Sequence, residues 1–178
     1  MPGNSFIQFG EKGADVKPGE SLQAGHHGDE GWIEIADWNW DIESESSVAK
    51  GTGAAVGKAT PGTLSISHYF DTSSPVILQK IVHGRHFPVI TIEMLKQVGG
   101  DKGPQTYFQV KVTEAFVTKV STKGGEDGQI NQDVEFVFKE IFVGYKPQKN
   151  DGSLESALEF NWSVKDNQTA TKIPDKLK

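Results

Sequence analysis

A chain of 178 residues, 35% of them hydrophobic and 24% charged, is long enough to bury one sizeable core. It contains no apolar run near the ~18 residues of a membrane helix, so no membrane insertion is expected. A net charge of −6 without a basic stripe argues against nucleic acid as the main partner, and the absence of cysteine excludes disulfides, thiolate metal sites and cysteine nucleophiles.

The first strand signal is SFIQF (5–9), inside an opening stretch, MPGNSFIQFG, with neither the basic nor the apolar region of a secretory signal. Residues 10–31, GEKGADVKPGESLQAGHHGDEG, form a connection rich in small residues and longer than compact domains usually carry, which points to function or disorder. WIEIADWNWDI (32–42) reads as one strand. Alternation puts Trp32, Glu34, Ala36, Trp38, Trp40 and Ile42 on one face, and Ile33, Ile35, Asp37, Asn39 and Asp41 on the other. Side by side on a buried face, Trp38 and Trp40 would each contribute roughly 4–6 kcal/mol as an upper bound. Residues 43–61 are a second connection, ESESSVAKGTGAAVGKATP, nearly devoid of large apolar groups. It is either mobile, which composition favours, or an arm that orders against something else.

Further strands are expected at 62–70, 87–95, 106–121, 133–146 and 159–164, all rich in β-branched and aromatic residues. In the fourth of these, Val134, Phe136 and Phe138 alternate with Glu135, Val137 and Lys139, the mark of a strand with one buried face. One helix interrupts the strands at 71–84. Ser74 is its expected N-cap, Pro75 its first residue and Gly84 its stop, with Ile77, Leu78, Ile81 and Val82 set against a sheet. The fold class is therefore mainly β: an antiparallel β-barrel or sandwich with one short flanking α-helix and a long extended loop.

No catalytic constellation emerges. GTGAAVG (51–57) has Val56 where a dinucleotide fingerprint needs its third glycine, and Pro61 opposes the helix that must follow. GESLQ (19–23) lacks the second glycine of a nucleophile elbow. His26 and His27 are adjacent in a loop with Asp29 and Glu30, a spacing that rarely converges on one metal ion. His83, Arg85 and His86 follow the helix, where cations suit its dipole, and Glu126 and Asp127 sit in a glycine turn. No cofactor or metal is expected.

Several stretches in order, FIQFG, KPGES, WIEIADWNW, SHYFDTSSP, GRHFP, KVSTKGGEDG, VGYKPQKNDGS and FNWSVKDN, together resemble the hemolysin-coregulated protein (Hcp) family, the tube subunit of type VI secretion systems. The resemblance runs from about residue 5 to 168. It implies one β-barrel domain over 1–168; the basic tail at 169–178 extends past the motif and is expected to be flexible. The resemblance further implies a non-enzymatic subunit that forms homo-hexameric rings and stacks them into tubes. Its partners would be a spike protein at the tip, a contractile sheath and small effectors carried in the lumen. Assembly would be in the bacterial cytoplasm, with export to the extracellular space or a target cell without a signal peptide.

Under that resemblance Trp38, Trp40 and Trp162 anchor the core, and Asn39 takes the family's small polar position facing the lumen, flanked by Asp37 and Asp41. The extended loop, including Ser44, Ser46, Val48, Lys50, Gly53, Ala55, Val56 and Lys58, reaches a neighbouring subunit or ring. Its small residues supply little apolar area, so single ring-to-ring contacts are weak and six act together. The chain departs from the family pattern in the longer 10–31 region, in Asn161 where glycine is common, and in the tail. A phage-like tail-tube subunit is a related alternative. Two alternatives of other classes are a monomeric carbohydrate-binding module using Trp38, Trp40 and Trp162, and a metal-dependent hydrolase using His26, His27 and Asp29.

Overall fold

The computed structural model describes residues 4–46, 56–170 and 173–178. In chain order the strands are β1 (Ser5–Phe9), β2 (Leu22–Gln23), β3 (His26–His27), β4 (Trp32–Glu34), β5 (Asp37–Asn39), β6 (Ile42–Ser46), β7 (Val56–Pro61) and β8 (Leu64–Tyr69). The helix α1 (Ser74–His83) follows, then β9 (His86–Gln97), β10 (Pro104–Gly124), β11 (Ile130–Val137), β12 (Glu140–Tyr145) and β13 (Leu158–Ser163). The mainly β class with one helix is as expected.

The main sheet runs β4-β1-β9-β10-β11-β8-β5, with β12 and β13 extending from β10. No ladder joins β4 to β5, yet these two edges are consecutive pieces of one chain segment. Ile35 N–H donates to Ser5 carbonyl on one edge, and Ala36 N–H donates to Ser67 carbonyl on the other. The sheet therefore curls until its edges meet at residues 35–36, completed by chain continuity rather than by a hydrogen-bonded seam.

This crossing overturns the single regular strand expected at 32–42. Ile33 and Ile35 are buried in the main core, and Trp38 and Trp40, from the opposite alternation class, also pack inward against it. The phase changes where the chain leaves one neighbour for the other. Both tryptophans are only partly buried, so each contributes less than full burial would suggest.

The strand expected at 133–146 divides in two at Phe138–Lys139. β11 pairs with residues 116–124 of β10 and β12 with residues 108–113. Between these stretches Glu114 adopts the left-handed region (φ 47), interrupting the regular strand conformation where β10 changes partner from β12 to β11. After the break both faces of β12 are buried: Ile141 joins the barrel core, while Phe142 packs outside with Ala170 and Ile173. Residues 173–178, part of the tail expected to be flexible, lie against β12, where Ile173 and Leu177 join Ala170 in covering Phe142.

The 10–31 region is likewise built onto the barrel. Its glycines permit close backbone approach: a Cβ at Gly13 would stand 2.2 Å from Glu30 carbonyl, and one at Gly19 would stand 2.3 Å from Trp32 carbonyl. Small residues here serve packing rather than freedom. His26 is buried, its ring 4.4 Å from that of Trp32 and 5.3 Å from that of Phe6, over the outer cluster of Phe6, Trp32 and Leu95.

Helix α1 begins one residue earlier than expected. Ser73 is the N-cap without a side-chain cap bond, Pro75 lies in the first turn, and Gly84 ends the helix in the left-handed conformation. Asp71 organises the start: its Oδ1 accepts from Ser73 N–H (2.8 Å) and Ser73 hydroxyl (2.5 Å), while its N–H donates to Ser74 Oγ (3.0 Å). Its Oδ2 lies 3.0 Å from His68 Nδ1, and His68 Nε2 lies 2.9 Å from Gln132 Oε1. The SHYFDTSSP stretch thus ties β8, α1 and β11 together. Ile77 is fully buried, whereas Leu78 and Val82, expected against the sheet, are 37% and 78% exposed.

Candidate assembly surface

On β5, Asp37 and Asn39 are exposed, facing opposite to the partly buried Trp38. Register aligns them with small polar residues: Asp37 opposes Ser67 and Asn39 opposes Ser65 on β8. Those serines oppose Asp133 and Glu135 on β11, which in turn oppose Ser121 and Lys119 on β10. Two parallel rows of polar side chains thus cross four strands. Ser67 hydroxyl donates to Asp133 Oδ1 at 2.5 Å. Behind the rows Leu64, Ile66, Val134 and Phe136 are buried in the core. The alternation that fills the barrel therefore presents a polar band on its other side, bounded along the strands by the exposed Tyr69 and by the facing pair Phe116 and Val137.

Asp41 is exposed but lies beyond the end of β5, at the base of the next hairpin, where its carbonyl accepts from Gly62 N–H (2.8 Å). It does not continue the polar rows. Trp38 stacks on Phe108 at 5.5 Å between ring centroids, and Trp40 tilts against Phe138 at 6.2 Å. Trp162 is 7% exposed and donates from Nε1 to Asn167 Oδ1 (3.2 Å). The three rings are engaged with the protein rather than offered together as a stacking platform.

β6 and β7 pair only with each other among the described residues: Ile42 with Pro61, Glu43 with Thr60, Ser44 with Ala59 and Ser46 with Val56. Ser44 hydroxyl donates to Gly57 carbonyl (3.1 Å), and Lys58 is exposed. Val48, Lys50, Gly53 and Ala55 lie outside the described residues. The connection read as mobile is, in its described part, a hairpin. An isolated two-stranded hairpin is marginal in water.

Sequence reasoning missed an apolar patch. Leu22 (85% exposed), Tyr69 (58%), Phe70 (41%) and Ile130 (45%) line two adjoining hollows, and Phe70 N–H donates to Ile130 carbonyl (2.8 Å). Its signal was the pair Tyr69-Phe70, since adjacent strand residues cannot share one buried face.

His26 and His27 diverge. His26 Nε2 lies 2.6 Å from Glu93 Oε2, whereas His27 is exposed beside Asp29. Glu93 also accepts from Gln109 Nε2 (2.6 Å) and Thr106 hydroxyl (3.0 Å). Burial pushes its carboxyl up, but hydrogen bonds from His26, Gln109 and Thr106 outweigh that and hold it below the usual carboxylate range. Among the described residues no three His, Asp or Glu side chains converge as metal ligands would.

The curled sheet, its polar outer rows and the β6–β7 hairpin, which among the described residues pairs with no other strand, define a mainly β, barrel-like fold. Comparison with known proteins narrows this. Residues 6–145 match the family described as "Type VI secretion system effector, Hcp". Protein hcp1 of Pseudomonas aeruginosa is 30% identical over 173 residues, spanning 96% of this chain and all of that protein. A solved structure described as a type six secretion system protein superposes with a TM-score of 0.80 at 25% identity, over 93% of this chain and 98% of the other. Hcp1 from Salmonella typhimurium does so with a TM-score of 0.71 at 26% identity, over 96% of this chain and all of the other. The chain belongs to the Hcp family of type VI secretion and is a tube or effector protein of that system.

Proposed function

We propose that the chain is the ring-forming subunit of a type VI secretion tube. Six copies close a ring, rings stack through the 43–61 segment, and the wall carrying Asp37 and Asn39 faces the lumen, where small effectors travel. A spike protein caps the tube and a contractile sheath expels it from the bacterial cytoplasm to the extracellular space or a target cell. The barrel's part is structural, not enzymatic.

The observation that carries this reading is the pair of polar rows across β5, β8, β11 and β10. Repeated around a ring, the rows give a continuous surface that water wets and that a passing protein does not adhere to. The hairpin supplies little apolar area per contact, so stacking strength comes from six arms acting at once. Stable rings and reversibly stacked tubes follow from that division. The test is a secretion assay in the native host. The chain should accumulate in the culture supernatant and should vanish from it when the sheath is deleted. Equal release from sheath-deleted cells without lysis would contradict the proposal.

A further inference from the structure

Residues 173–178, Ile-Pro-Asp-Lys-Leu-Lys, sit in a seat built for them on β10 and β12. Lys111, only 5% exposed, donates from Nζ to the carbonyls of Pro174 (2.9 Å) and Asp175 (2.7 Å). Asp175 lies in the left-handed region (φ 45), and its carbonyl and that of Pro174 converge on this one ammonium. Gln109, 3% exposed, accepts from Leu177 N–H at 3.0 Å. The Gln109 amide is itself oriented, because its Nε2 donates to Glu93 Oε1, leaving Oε1 towards the segment. These three bonds read main-chain groups.

Side chains add selectivity. Ile173 is buried, Leu177 packs on the same cluster around the fully buried Phe142, and Lys176 Nζ stands 5.7 Å over the Phe142 ring. Gly144 completes the seat: a Cβ there would lie 2.8 Å from the Phe142 ring and 3.3 Å from Leu177 Cβ. The seat is thus shaped by one glycine, one aromatic face and two pre-positioned buried polar groups. That is how a peptide site is made, with main-chain bonds for affinity and apolar pockets for specificity.

The vacated seat would be poorly satisfied. Both hydrogen bonds of Lys111 among the described residues go to this segment, and Phe142 would lose its outer cover. Burial pushes the Lys111 ammonium down, so its donors gain from carbonyl partners. The segment also borders an open cleft of about 470 Å³ at Pro174 and Asp175, which leaves it a route out without opening the barrel.

We propose that this seat is a peptide-recognition site, and that its ligand is the 173–178 segment itself, bound in cis here and equally able to bind from a second copy. The site links neighbouring copies when segments exchange, and it does so independently of the strand face assigned to the lumen.

The test uses full-length protein. The double variant Ile173→Asp/Leu177→Asp frees the seat, and a fluorescently labelled, end-capped peptide of residues 173–178 is titrated by anisotropy. The peptide should bind this variant saturably and at least about tenfold tighter than it binds the wild type, where the cis segment competes at an effective concentration on the order of millimolar. Adding Lys111→Met, or placing Leu177→Asp in the peptide, should abolish binding. Absent binding to a variant with native near-UV circular dichroism overturns the proposal, as does equal binding to wild type. Should the double variant misfold, hydrogen exchange on wild type decides: the Leu177 amide must be protected, and exchange at the unprotected rate overturns the seat.

Discussion

Glu93→Ala removes one carboxylate and strands three donors: His26 Nε2 at 2.6 Å, Gln109 Nε2 at 2.6 Å and Thr106 hydroxyl at 3.0 Å. His26 and Gln109 are 7% and 3% exposed, so water does not readily replace the lost acceptor. Leaving a buried donor unpaired costs about 1–3 kcal/mol, while the partly exposed Thr106 adds little. The expected loss is about 3–5 kcal/mol, a large share of the ~5–15 kcal/mol that holds a typical domain. Urea unfolding followed by tryptophan fluorescence measures it, with Trp32, whose ring lies tilted against that of His26, as a local reporter.

The same carboxylate gives a pH signature. Its folded pKa is lowered, so its contribution is complete above the unfolded value near ~4.3 and is lost as pH falls through the lower folded value. Wild type should therefore weaken steeply below about pH 4, and Glu93→Gln, which keeps an acceptor without a charge, should lose that part of the slope. A Glu93→Ala variant within about 0.5 kcal/mol of wild type, or an unchanged acid slope in Glu93→Gln, would refute the reasoning that residues 10–31 are pinned through His26.

Asp71→Ala leaves the 2%-exposed His68 without its Nδ1 partner and removes both bonds to Ser73, for an expected cost of about 2–4 kcal/mol in chemical denaturation. Gly144→Ala drives a Cβ into the Phe142 ring and Leu177, so it should cost about 1–3 kcal/mol and strip hydrogen-exchange protection from residues 173–178 first. Asn39→Lys, on the exposed wall, should leave stability within about 0.5 kcal/mol of wild type yet abolish effector co-purification if that wall faces the lumen. The proposed stacking through the low-apolar 43–61 segment predicts tubes that fall apart to rings on dilution, seen in negative-stain images.

The strands that alternate cleanly were legible, because a period of two survives wherever one face is buried. Val134 and Phe136 against Glu135 and Val137 is the clearest case, although the same pattern gave no sign of the break at Phe138–Lys139. The helix and its glycine stop were legible for the same local reasons. What escaped depends on contacts distant in sequence. The switch at Ile35–Ala36 from one sheet edge to the other changes the alternation with no mark in the local pattern. Double-sided burial of β12 arises because Ala170, Ile173 and Leu177 return to cover Phe142. The 10–31 region hid its order in glycines, which permit both freedom and close packing; which of the two they serve is decided by the backbone they approach. Of the expected lumen residues, Asp37 and Asn39 stand in the polar rows. Asp41 does not, because β5 ends before it.

The native mass of the untagged protein, by light scattering at two concentrations and moderate salt, tests the central claim most directly. The account predicts a species of six times 19.4 kDa that persists on dilution, closing a ring around the Asp37 and Asn39 wall. A monomer of 19.4 kDa at both concentrations would leave the barrel standing and contradict the tube.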